Sequence, residues 1–174
     1  HVATHERLGH VVAIKVLHPH YQKDEFLRSR FIDEARIQAN LIHPNILTVR
    51  DILELPGTTA IVMDLLRGVT LKQYYKHAGL PLATSSVLDI FLSLTDGLSA
   101  APDAGIVHRD LKPEDVMIGA FGEVQTMDWG LVKVMGGTDR ADDPHVIHAA
   151  EDTPEATLEG QIAGTPLYMS PEQA

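Results

Sequence analysis

The stretch HRDLKPEDVMIG, residues 108–119, restricts this chain more than any other. Its first eight residues hold two basic side chains, Arg109 and Lys112, and three acidic ones, Asp110, Glu114 and Asp115. The sequence then turns apolar at Val116, Met117 and Ile118. Pro113, beside Lys112, opposes helical hydrogen bonding, so the charges cannot share one amphipathic helix face. Their density also excludes a core strand before Val116. What remains is a rigid loop carrying a cation and two separated carboxylates, Asp110 and Asp115, anchored by the apolar run behind it.

The flanking sequence supplies a scaffold. VVAIKVL (11–17) is β-branched and interrupted by one charge, Lys15, so it reads as a buried strand whose ammonium needs a partner. In KDEFLRSRFIDEARIQANLI, Leu27, Phe31, Ala35, Gln38 and Ile42 recur at helical spacing, and His43-Pro44-Asn45 ends that helix. Segments 46–55 and 59–66 read as strands joined by a Pro56-Gly57 turn. Thr84 caps a long helix with Val87, Phe91, Leu94, Leu98 and Ala101 on one face. Short runs at 116–118 and 123–127 pair as a hairpin turned at Ala120-Phe121-Gly122.

Composition narrows the partners. A net charge of −10 argues against nucleic-acid and anionic-membrane surfaces, which need basic patches. With no Cys there is no disulfide framework and no thiolate metal site. No apolar run approaches the ~20 residues of a membrane span. Ten His are present, but His18, His20, His145 and His148 lack ligand spacing. From 136 to 160 the chain is polar, with seven Asp or Glu against one Arg, and reads as a solvated loop. Thr153 and Thr157 within it are candidate phosphoacceptors.

The charged positions form a set. Lys15 lies on a strand, Glu34 nineteen residues later on the next helix, Asp110, Lys112 and Asp115 in the loop, and Asp128 thirteen residues further on in MDWG. Handling a nucleoside triphosphate needs these parts: a cation for phosphates, an acid to hold that cation, oxygen ligands for Mg²⁺, and a base beside the acceptor. Taken alone, Lys15 would be a snorkelling strand residue, Glu34 a solvated helix charge and Asp128 a turn acid. Their order and spacing resemble the protein kinases, specifically the eukaryotic-like Ser/Thr kinases of bacteria. VAIK (12–15), FIDEA with HPNI (43–46), VMD (62–64), IVHRDLKPED (106–115), DWG (128–130) and GTPLYMSPEQA (164–174) carry the resemblance, which spans essentially the whole chain.

That resemblance implies an α+β, two-lobed fold. Residues 1–66 would form part of an N-terminal lobe, an antiparallel sheet plus one helix. Residues 67–174 would form an incomplete helical C-terminal lobe with catalytic loop and activation segment. It further implies that Lys15 contacts the α- and β-phosphates of ATP and pairs with Glu34, and that Asp110 accepts the proton of a protein Ser or Thr hydroxyl. Lys112 would offset charge on the transferred group. Asp115 and Asp128 would hold Mg²⁺, with Mn²⁺ as a substitute. Ala13 and Met117 would bracket the adenine, with Met63 behind it and the backbone of Asp64 to Leu66 along its edge. Arg109 would bind a phosphate in the activation segment, and Thr165 would fix the catalytic loop. A cytoplasmic location follows from the same family, with any membrane anchor outside this segment.

Four departures from the family pattern stand out. The glycine-rich phosphate lid is absent before VAIK. The chain stops at SPEQA, so Glu172 would be without its usual partner and an apolar face of the 84–101 helix is expected to be bare. Pro102 is expected to end or kink that helix early. Asp115 replaces an Asn, keeping an oxygen ligand while adding negative charge beside Asp110 and Asp128. Trp129 for Phe is a milder swap, filling volume under the nucleotide. Two function classes follow. One is an active Ser/Thr kinase, of which these 174 residues alone transfer little or nothing. The other is a pseudokinase, a nucleotide-responsive binding module. A small-molecule kinase is disfavoured by HRDLKPE and GTPLYMSPE.

Overall fold

The computed structural model describes residues 1–78, 81–103, 106–129, 133–134 and 165–171. The N-terminal part is an antiparallel sheet of four strands in the order β1-β2-β4-β3: β1 (Val2–Thr4), β2 (Val11–Val16), β3 (Val49–Leu55) and β4 (Thr58–Asp64). The Pro56-Gly57 turn between β3 and β4 works because Gly57 takes φ +75°, a left-handed geometry that side chains resist.

One helix, α1 (Glu25–Ala39), crosses this sheet. Asp24 caps it, accepting from the amides of Phe26 at 3.0 Å and Leu27 at 3.1 Å. Glu25 in its first turn and Arg36 in its last complement the helix dipole. Its inner face buries Phe31, Ile32, Ala35 and Gln38, with Phe31 and Ala35 packed on Val49 of β3 and Ile61 of β4. Gln38 is tolerated inside because its amide donates to the Leu47 carbonyl at 2.7 Å. Ile42, expected on the same face, lies beyond the helix and is 92% exposed. The chain leaves the helical register at Asn40, whose side chain caps Arg36 O at 2.8 Å.

The remaining elements are β5 (Gly68–Thr70), α2 (Leu71–Ala78), α3 (Thr84–Asp103), β6 (Ile106–Val107), β7 (Val116–Gly119), β8 (Val124–Thr126) and β9 (Lys133–Val134). Strands β5-β7-β8 form one small sheet and β6-β9 another. Ile90 and Leu94 of α3 pack on Val116, Ile118 and Val124 of the β7–β8 hairpin, which anchors the charged loop as its apolar tail implied. A second cluster, Leu41, Ile46, Ala101, Ile106 and Trp129, ties the segment after α1 to the end of α3. There Gly97 is needed for close approach, since a Cβ would lie 2.9 Å from both Cβ and O of Asn45.

The two-lobed α+β architecture is as expected, with three local differences. Thr84 is the first helical residue of α3 rather than its cap, since Val87 N–H bonds to Ala83 O at 3.1 Å. Pro102 does not shorten α3. It sits in the last turn, and the helix runs on to Asp103. Phe91, expected on the inner face, is 59% exposed together with Leu88 and Leu92, because Ile90 and Leu94 take the contacts with the hairpin. The strand at 11–17 is also less buried than its composition suggests, with only Val12 fully enclosed.

Candidate functional site

The pairing of β2 with β4 sets Lys15 opposite Ile61. From there its ammonium reaches Glu34 Oε1 on α1 at 3.2 Å and also contacts Asp128 Oδ1, a residue 113 positions away in sequence. The Phe31 ring lies 5.8 Å beneath the same Nζ. Burial alone would lower the Lys15 pKa, but the Glu34 and Asp128 carboxylates outweigh it and hold the lysine charged. Glu34 bears the cost: burial pushes it up to about 7, with Lys15 opposing and Asp128 adding to the rise. Asp128 goes the other way. Burial would raise it, yet Lys15 holds it below the usual carboxylate range.

The opening loop builds a second cluster. Turns close it through Asp110 N to His108 O and Asp115 N to Lys112 O, each 2.9 Å. Lys112 Nζ lies 2.9 Å from Asp110 Oδ2, and the Thr165 amide donates to Asp110 Oδ1 at 2.7 Å. Burial opposes ionisation of Asp110, but Lys112 and Thr165 win and keep it below the usual range. Asp115 is 3% exposed and burial drives it up to about 7, with Lys112 opposing and Asp128 and Asp110 reinforcing the rise. The extra negative unit expected there is therefore partly proton-bound at neutral pH. Its backbone carbonyl accepts from Met127 N at 2.9 Å, which brings the loop alongside Asp128.

His108 and Trp129 join the two clusters from beneath. Their rings pack at a 49° tilt with centroids 4.8 Å apart, and both are buried. His108 Nε2 donates to Met127 O at 3.2 Å, so Nδ1 is the bare nitrogen, and among the described residues neither it nor Trp129 Nε1 has a partner. Burial lowers the His108 pKa and keeps the ring neutral. Trp129 is thus a core residue of the Leu41, Ile46 and Ala101 cluster rather than filler under a nucleotide. Arg109 and Asp128, on either side of this pair, both adopt φ 66°, which is rare without glycine.

Among the other expected site residues, Ala13 pairs with Met63 across β2 and β4, and Met117 pairs with Thr70 and Gln125 across β5-β7-β8. The Asp64 amide donates to Thr48 O at 3.0 Å, so of that residue's backbone only the carbonyl can meet a base edge. Leu66 follows in the connection between β4 and β5, its side chain against Gly119. Thr153, Thr157 and Glu172 lie outside the described residues. Sequence reasoning missed the direct Lys15–Asp128 contact, which only the fold creates. It also missed the Lys72–Glu114 pair, in which α2 reinforces the loop. The one available signal for the latter was Glu114, a charge inside the loop that had no assigned task.

The sequence profile of the family described as protein kinase domain matches residues 1–173. The chain belongs to that family. This kinase domain is 34% identical over 164 residues to the "Probable serine/threonine-protein kinase PknB" of Lactococcus lactis, covering 94% of the present chain and 23% of the relative. It is 35% identical over 174 residues to the "Probable serine/threonine-protein kinase pknA2" of Bifidobacterium longum, covering 98% and 21%. It is 34% identical over 178 residues to the "Serine/threonine-protein kinase Pkn1" of Myxococcus xanthus, covering 100% and 23%. The kinase domain therefore spans under a quarter of the length of each of these relatives. No helix among its described residues is long and apolar enough to cross a membrane.

Proposed function

We propose that this chain is catalytic core of a Ser/Thr protein kinase, moving the γ-phosphoryl group of ATP to protein hydroxyls. The observation that carries the reading is Asp110. Its two oxygens are held by Lys112 Nζ and the Thr165 amide, and its lowered pKa keeps it ionised, so it orients a hydroxyl as an anion and takes its proton only as the bond to phosphorus forms. Lys112 then stands beside the group in transit and offsets its charge. Lys15, fixed by Glu34 on one side, exchanges its Asp128 contact for the α- and β-phosphates. The β4–β5 connection, with Met63, Asp64, Leu66, Ala13 and Met117, receives the adenine.

Mg²⁺, when bound, would neutralise charge on the phosphates of ATP. The donors fit it. No group of three or more His, Cys, Asp or Glu among the described residues could hold a metal ion, but Mg²⁺ sites that share phosphates need only one or two carboxylates. Asp128 and Asp115 are those two, and Mn²⁺ would suit the same oxygens. The lobe division near residue 66, the phosphate-binding role of Arg109, phosphorylation at Thr153 or Thr157 and a cytoplasmic setting belong to the same reading.

One observation favours the pseudokinase as a second reading: Asp115 is buried, and that burial raises its pKa to about 7, which weakens it as a ligand where a metal is required. Incubation of the intact protein with MgATP, read by intact mass, decides between the two. Added phosphates that vanish with Asp110→Asn establish the kinase. Phosphates that appear only with Asp115→Asn show that one carboxylate silences it. None in any variant leaves the binding module.

A further inference from the structure

The register of β3 against β4 slips once. Val49 faces Met63 and Asp51 faces Val62, so Arg50 is the extra residue of a β-bulge. Bulges release one residue from the ladder and re-aim its side chain, and they gather beside functional sites. Here the released guanidinium makes a two-pronged contact with Asp64, Nε to Oδ1 and Nη2 to Oδ2, both 2.6 Å. Thr48, just before β3, also holds Asp64 by its backbone, its carbonyl accepting from the Asp64 amide at 3.0 Å. Asp64 is the last residue of β4, pairs with Val12 and precedes the connection at 65–67. It is thus gripped at amide and carboxylate where the sheet gives way to the rest of the chain.

We propose that Arg50 is a positioning residue: its fork on the Asp64 carboxylate fixes the orientation of the Asp64 carbonyl and the following connection, and so sets how the chain meets the edge of a bound adenine. The proposal rests on the nucleotide-binding reading above. Both side chains are about half exposed, 56% and 41%, so the pair adds little to global stability. Its planar, two-bond geometry nevertheless restricts rotation about Asp64 in a way a single lysine contact would not. Nothing about the pair touches phosphoryl transfer, so its effect belongs to ATP affinity and not to turnover.

The test is steady-state kinetics of the intact protein with Arg50→Ala, Arg50→Lys, Asp64→Ala and the double variant Arg50→Ala/Asp64→Ala. Binding of N-methylanthraniloyl-ATP and thermal unfolding are followed in parallel. Arg50→Ala is expected to raise KM for ATP about five-fold, the scale of a well-formed exposed ion pair, with kcat within about two-fold of wild type. Arg50→Lys, which keeps charge but loses the fork, falls between. The double variant is expected to be no worse than either single change, because both delete one interaction. Additive effects, an unchanged KM, or kcat falling in step with Tm would overturn the positioning role. Wild-type protein that fails to bind the nucleotide would overturn this proposal and the kinase reading together. Wild-type binding with an indifferent Arg50→Ala would sink the positioning role alone.

Discussion

Lys15 and Lys112 face the same electrostatic problem and the chain solves it twice by different means. Each lysine stands among two carboxylates, one held ionised and one driven up to about 7: Asp128 and Glu34 around Lys15, Asp110 and Asp115 around Lys112. The first cluster is assembled from β2, α1 and the segment after β8, so it exists only when the fold does. The second takes its charged side chains from eight consecutive residues and closes on its own turns, with the Thr165 amide on Asp110 and the Met127 amide on Asp115 as contacts from outside the loop. One cation cannot stabilise two buried anions, so the more enclosed acid keeps a proton in both places. A cluster made by tertiary contact can be opened by moving an element, whereas a local loop stays formed.

The sharpest test of this symmetry removes one acid from each cluster. Asp110→Asn deletes an ionised base and is expected to cost about 10²–10⁴-fold in phosphoryl transfer. Glu34→Gln replaces an acid whose pKa burial raises to about 7 by its neutral isostere and is expected to cost ~10-fold or less. Phosphate incorporation followed by intact mass measures both. Equal losses would break the comparison, because Glu34 would then be acting as an anion.

Next comes stability. Asp115 has an ordinary value of 3.8 and about 7 in the folded chain. Between those limits the folded chain holds a proton that the unfolded chain has released, so stability declines as pH rises through this window. Asp115→Asn, in the presence of a chelator, should therefore stabilise by roughly 2–4 kcal/mol at pH 8 and hardly at all near pH 4. Chemical denaturation at the two pH values checks it, and a pH-independent gain would mean that packing rather than charge is responsible.

His108 gives the opposite slope at smaller amplitude. Its folded pKa is depressed, so the unfolded chain takes up the proton first and stability falls as pH drops below the ordinary 6.5. His108→Leu should flatten that acid limb, read from Tm against pH. The smallest effect is Trp129→Phe. It leaves a cavity but removes a buried N–H that has no partner among the described residues, and the two contributions offset to within about 1 kcal/mol in denaturant unfolding.

What could be read from sequence follows the same division. The local loop, the β7–β8 hairpin and the Pro56-Gly57 turn were legible because neighbouring residues dictate them. Lys15 and Glu34 were legible as motif positions, yet their contact with Asp128 was not, since no periodicity encodes a meeting across 113 residues. The inner face of α3 was misassigned at Phe91, because helical spacing alone cannot say which of two adjacent apolar stripes meets the hairpin. The short α2 and β5 gave too few residues for a pattern. Pro102 misled for a different reason: in a final turn, the lost N–H costs little when the helix ends one residue later.

The left-handed backbone at Arg109 and Asp128 has a consequence for how such a chain would drift under selection. Neither position is glycine, though both occupy geometry that glycine and asparagine fill at lower cost. A library varied at 109 and 128 and screened for folded protein alone would enrich Gly and Asn and purge Val and Ile. Its winners would be sturdier and chemically mute. Arg109 and Asp128 are therefore residues that a screen for folding alone would not favour.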